Sequence, residues 1–154
     1  MATRTAFAGT AVDGNVAFAA DANALPGGWI GDVQATSDQG TILAETDLTS
    51  LSVTVTAGLT RRLKLSARVM VVAPSSGTSA TLRIKEGSTV LQEATHDFSS
   101  LGLTDTLVCF VTVTPTSGAH TYKLSLLPIG GTFATEAAAT RPNILLVEDV
   151  GPAS

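Results

Sequence analysis

The chain is short of cysteine, aromatics, lysine and charge, and each shortage excludes something. One cysteine, Cys109, in 154 residues rules out an intrachain disulfide and gives no sign of an oxidising compartment. One tryptophan and one tyrosine are a thin supply for stacking sugars or bases. Charged residues are 14% of the chain against 44% hydrophobic, yet no apolar run approaches the ~20 residues of a membrane-spanning helix. Long runs such as Val69–Ala73 and Ile144–Val147 have strand length. The start, "MATRTAFAGTAVDG", has no apolar segment of the secretory kind. A formal charge of −4 speaks against nucleic acid as a partner, and a membrane is not expected either.

What is present is strand alternation. Val53, Val55 and Ala57 alternate with Thr54 and Thr56, and Leu63, Leu65, Ala67, Val69 and Val71 alternate with Arg62, Lys64, Ser66 and Arg68. Further strands are expected after Trp29 and over Thr41–Asp47, Ala80–Lys85, Thr89–Thr95, Asp105–Thr114, His120–Leu127, Thr132–Ala139 and Asn143–Glu148. Gly/Pro/Ser breaks separate them at regular intervals, and no segment after residue 30 has a helical period. Eight to ten short strands of this kind predict an all-β fold, an antiparallel β-sandwich of jelly-roll type.

The first 28 residues differ. They form an N-terminal arm of small residues whose only plausible helix is Phe18–Leu25, stopped by Pro26; residues 29–154 form the sandwich domain. Such an arm buries too little apolar surface to order itself alone, which suits attachment or oligomer contacts. Phe7, Phe18 and Leu25 are its interface candidates. Trp29 sits at the junction, flanked by Gly27, Gly28 and Gly31. It is expected to pack under the sandwich as the first core residue, with an intersubunit anchor as the alternative.

Charge is distributed unevenly. Residues 61–85 hold Arg61, Arg62, Lys64, Arg68, Arg83 and Lys85 with no acid, while both flanks are acidic. The basic stretch reads as the solvated face of adjacent strands or, alternatively, as a face that docks on an acidic partner. Arg62, Lys64, Arg68, Arg83 and Lys85 are therefore also interface candidates.

Chemistry is hard to find. His96 and His120 are far apart in sequence and lack a second imidazole or thiol at ligand spacing. His96 and Asp97, as strand neighbours, point to opposite faces. Cys109 shares a face with Leu107, Val111 and Val113, the setting of a buried small hydrophobe. Glu45, Asp47, Glu148 and Asp149 have no calcium-loop pattern, and no nucleophile elbow or phosphate-cradling loop occurs. No catalytic residue, metal ligand or cofactor is assigned, and the chain is not expected to be an enzyme. A glycan-cleaving activity has no carboxylate pair to support it.

Several segments together carry a resemblance: "AADANALPGGWIG" (Ala19–Gly31), "ETDLTSLSVTVTAGLTRRLKLSARV" (Glu45–Val69), "LRIKEGSTVL" (Leu82–Leu91), and "SGAHTYKLSL" with "RPNILLVEDVGP" towards the end. Over residues 19–152 the chain resembles small virion structural proteins of tailed bacteriophages, particularly those of actinobacterial hosts, of the minor tail, tail-fibre-like or capsid-decoration type. The resemblance implies a β-sandwich displayed on the virion surface, made in the host cytoplasm, with major capsid or tail proteins as partners. The long shaft of a full tail fibre is missing, which favours a compact decoration protein. Apolar composition with three lysines implies a homo-oligomer, a trimer ranked ahead of a dimer or pentamer. The alternative is a tail module that recognises a host-surface glycan.

Overall fold

The computed structural model describes residues 27–73, 78–100 and 102–153, in which ten strands and no helix are found. They are β1 (Gly28–Ala35), β2 (Gln39–Ile42), β3 (Thr46–Ala57), β4 (Arg61–Val72), β5 (Thr78–Glu86), β6 (Thr89–Phe98), β7 (Thr104–Val113), β8 (Gly118–Ile129), β9 (Phe133–Glu136) and β10 (Asn143–Pro152). All pairings are antiparallel.

Two sheets interleave. Sheet A runs β1–β10–β4–β7, and the short β9–β2 pair continues beside the far end of β4. Sheet B runs β3–β8–β5–β6. Chain neighbours β3 and β4, and likewise β6 and β7, fall in opposite sheets. This is the jelly-roll order, as the strand alternation predicts.

The alternating side chains become the core. Leu63, Leu65, Ala67, Val69 and Val71 of β4 are buried and face Leu82 and Ile84 of β5 and Tyr122, Leu124 and Leu126 of β8. Truncating a leucine here is a change of about 2–5 kcal/mol in stability. Cys109 is buried beside Leu107, as its position in the alternation requires. Burial raises its thiol pKa, so it stays protonated and inert.

Two details differ from the sequence expectation. The strand expected over Thr41–Asp47 is two strands, β2 ending at Ile42 and β3 beginning at Thr46. More consequentially, Trp29 is 65% exposed and lies outside the core. The cause is a β-bulge between Trp29 and Gly31. Gly31, Val33 and Ala35 point inward opposite Val147, Leu145 and Asn143; the extra residue Ile30 then reverses parity, and Trp29 pairs outward with Glu148. The glycines have separate tasks. Gly28 takes a positive φ of 73°, and Gly31 lets β1 lie against β3, where a Cβ would come within 2.8 Å of Val55.

The arm and its Phe18–Leu25 helix lie outside the described residues. The sandwich is traced from β1, whose first residue is Gly28.

Candidate functional site

The outer face of sheet B is polar and internally paired. Glu45 accepts from Lys85 Nζ and Arg83 Nη1, both at 2.8 Å, and from Ser125 Oγ at 2.9 Å. Arg83 also donates to Glu93 across to β6. Lys123 pairs with Asp47, Thr54 with Thr121, Thr81 with Thr95, and Ser79 with Asp97. The Lys85 hydrogen bond, followed by that from Ser125, holds the Glu45 carboxyl below the ordinary carboxylate pKa, so it stays ionised. Among exposed large hydrophobics, only Val90 and Ile129 sit on this sheet's strands, each near an end.

The outer face of sheet A is different. Trp29, Val108 and Phe110 are 65%, 58% and 67% exposed. The register extends the last two through partly exposed neighbours, Phe110 beside Ser66 beside Leu146 and Val108 beside Arg68 beside Ile144, while Trp29 lies beside Glu148, which lies beside Lys64. Arg62, Lys64 and Arg68 stand among these apolar groups. Lys64 reaches Glu148 at 3.7 Å, and Arg68 donates to the Pro142 carbonyl at 2.9 Å.

The five basic candidates therefore do not make one surface. Arg62, Lys64 and Arg68 belong to sheet A, whereas Arg83 and Lys85 belong to sheet B and are neutralised by Glu45 and Glu93. The basic run is continuous in sequence only. It crosses from one sheet to the other between β4 and β5, so neither a shared solvated face nor a shared docking face forms. Phe7, Phe18 and Leu25 lie outside the described residues.

The histidines are held separately. His96 Nε2 is 2.9 Å from Asp105 Oδ2, linking β6 to β7, while Asp97 turns away to Ser79. His120 Nδ1 is 2.6 Å from Glu86 Oε1, and its Nε2 is 2.9 Å from the Thr116 carbonyl. The hydrogen bond to Glu86, opposed by desolvation and helped by Thr116, raises the His120 pKa above 6.5. The four acids weighed as a calcium set are divided too. Glu45 and Asp47 meet cations on sheet B; Glu148 meets Lys64, and Asp149 meets Arg61 at 2.8 Å, on sheet A.

Concavities among the described residues include two with different linings. One, of about 230 Å³, lies beyond the end of β1 and is lined by polar groups including Gln34, Asp38, Gln39, Ser50, Thr135 and Asn143. Several of these tie loops to strands: Asp38 accepts from the Ala137 N–H, Gln39 from the Thr49 N–H, and Asn143 from the Met70 N–H. Ser50 is held there at a φ of +63°. The other, of about 430 Å³, is a groove between β6 and β7 lined by Glu93, Ala94, Val108, Cys109, Phe110 and Val111.

Sequence reasoning did not single out Val108, Phe110, Ile144 or Leu146 as surface residues. Val108 and Phe110 sit in the run Leu107–Val111; setting Cys109 inward with Leu107 and Val111 already turns them outward, a consequence that the sequence reading did not draw.

No protein-family model and no curated protein matches the chain. Solved structures similar to it include a carbohydrate-binding module from Cellvibrio mixtus lichenase 5A in complex with cellotriose, at 17% identity and a TM-score of 0.36, covering 79% of this chain and 98% of that one. The T=1 particle of infectious bursal virus is similar at 12% identity and a TM-score of 0.48, covering 83% of this chain and 37% of the viral one. Eiger TNF from S. frugiperda is similar at 8% identity and a TM-score of 0.44, covering 82% and 96%. At such identities the function is left to the chain's own surfaces.

Proposed function

We propose that this chain is a non-enzymatic structural protein of a tailed-bacteriophage particle, carried on its outer surface as a capsid decoration or tail-associated subunit. The observation that carries the reading is the inequality of the two outer faces. Sheet B has its charged side chains and several of its outward threonines and serines engaged with one another, as suits a face turned to water. Sheet A presents Trp29, Val108 and Phe110, large apolar groups rimmed by Arg62, Lys64 and Arg68, as suits a face turned to protein. The resemblance of residues 19–152 to phage virion proteins supplies the particle, and residues 1–26 supply a second means of attachment. Contacts of this kind, repeated over a symmetric shell or tail, stabilise the assembly without any chemistry.

The test uses particles made with and without the protein. Particles lacking it are expected to assemble and adsorb normally but to lose resistance to heat or osmotic shock. Normal resistance with lost adsorption would overturn this reading in favour of a host-glycan receptor module. That second reading has one observation of its own, the polar cavity around Ser50 and Asn143. It lacks an aromatic platform: no Trp, Tyr or Phe lines the cavity.

A further inference from the structure

Among the described residues β7 is an edge of sheet A, and its own sequence lacks the usual protections of an edge. Among the described residues its only ladder is to β4, over ten residues from Thr104 to Val113 with no register shift. It contains no proline, no lysine and no bulge, and its one charge, Asp105, is engaged with His96 near one end. A long, regular, apolar edge of this kind is a template for another strand.

The core is also least covered on this side. The partly buried hydrophobics packed against it are Val33, Leu91, Ala94, Val111 and Val113. All but Val33 belong to β6 or β7, and the groove of about 430 Å³ opens between those two strands.

The sequence of β7 says what fits there. Outward it reads Thr106, Val108, Phe110, Thr112, and inward Leu107, Cys109, Val111. Both series keep the same pattern when reversed about Cys109. An antiparallel β7–β7 pair centred on Cys109 therefore sets each Val108 against the second copy's Phe110, each Thr106 against the second copy's Thr112, and Leu107 against Val111. Aromatic with β-branched and threonine with threonine are among the favourable cross-strand pairs. Registers shifted by two residues set Phe110 against Phe110 with each Val108 against Thr112, or Val108 against Val108 with each Phe110 against Thr106, so each keeps one apolar match where the Cys109 register has two.

We propose that the β7 edge is a homotypic pairing surface, on which a second copy of this chain adds its own β7 antiparallel, centred on Cys109, to make one continuous sheet across a two-fold axis. The pair closes with two copies, so the unit is a dimer and not the trimer that composition ranked first. The proposal does not depend on membership of a phage particle.

The test is sedimentation of the full chain with variants at the edge. The wild-type chain is expected to be a dimer at micromolar concentration. Val108→Lys and Phe110→Lys, whose side chains already point to solvent, are expected to weaken dimerisation at least tenfold with an unchanged circular dichroism spectrum. The register is tested by mixing two single variants, Thr106→Cys and Thr112→Cys, under mild oxidation. A disulfide dimer is expected in the mixture and in neither variant alone, because positions 106 and 112 face each other only across the axis. Both variants also carry Cys109→Ala, because the proposed register sets the two Cys109 thiols opposite each other and a disulfide between them would cross-link either variant alone. A monomeric wild-type chain, a dimer indifferent to both lysines, or a mixture that fails to cross-link overturns the proposal. The last result beside a lysine-sensitive dimer would mean that another segment, such as residues 1–26 of a neighbour, occupies the edge.

Discussion

The two sheets use their outward positions in opposite ways. On sheet B most outward charged residues and several threonines and serines are members of a pair: glutamate with lysine and arginine, threonine with threonine, serine with aspartate. On sheet A the outward Val108 and Phe110 of β7 and Trp29 of β1 are large and apolar, and Lys64, the cation beside Glu148, is only loosely engaged. Both sheets share one core, so the difference cannot come from folding alone. Stability is served by either pattern; solubility is served only by that of sheet B. The apolar face is therefore read as a surface retained for contact.

The largest expected effect falls on sheet B. Glu45→Ala leaves Lys85, Arg83 and the buried Ser125 hydroxyl without their shared acceptor, and is expected to lower stability by about 2 kcal/mol in urea unfolding. The figure is set below the range for fully buried pairs because the carboxylate is 31% exposed. Phe110→Ser on sheet A is expected to stay within about 0.5 kcal/mol under conditions where the chain is monomeric. Equal losses would erase the contrast between the faces.

The pH response follows from sheet B as well. The Glu45 pKa is lowered on folding, so its contribution is present above about 4.5 and is lost as pH falls through the folded value. The His120 pKa is raised, so its contribution is complete below 6.5 and is lost as pH rises through the folded value. Melting temperature is therefore expected to be highest between these limits, with Glu45→Gln flattening the acid limb and His120→Gln the alkaline one. Limbs unchanged in these variants would remove both groups from the account.

Much of this was legible in advance. The strict alternation of Ser52–Ala57 and Arg61–Val72 specified strand, inward face and core together, and Cys109 lies inside as the face it shares with Leu107 requires. What was not legible depends on relations between strands. The bulge before Gly31 reverses the parity of Trp29, and nothing in the local pattern shows a residue inserted against β10. The basic run reads as one surface because β4 and β5 are neighbours in the chain; their assignment to opposite sheets is a property of the topology.

Between the sheets, Tyr122 offers a smaller test. Its ring is fully buried and its hydroxyl is among the described residues' buried polar atoms without a hydrogen-bond partner; burial, with the Glu86 charge as a lesser cause, pushes its pKa up to about 12. Removing an unsatisfied buried hydroxyl is favourable, so Tyr122→Phe is expected to stabilise the fold by about 1 kcal/mol. A loss of stability would mean that the hydroxyl has a partner. The smallest expected effect is at Trp29. Trp29→Ala in the monomeric chain should change stability by less than about 0.5 kcal/mol, whereas a core tryptophan would lose about 3–5 kcal/mol.

The most direct measurement is side-chain footprinting with hydroxyl radicals, read by mass spectrometry on the free chain and on the chain assembled in its particle. Trp29, Phe110 and Leu146 are expected to be oxidised in the free chain and protected in the assembly, while Val90 and Ile129 on sheet B stay equally reactive in both. Protection confined to the sheet B residues, with Trp29 and Phe110 unchanged, would contradict the assignment of the apolar face to contact.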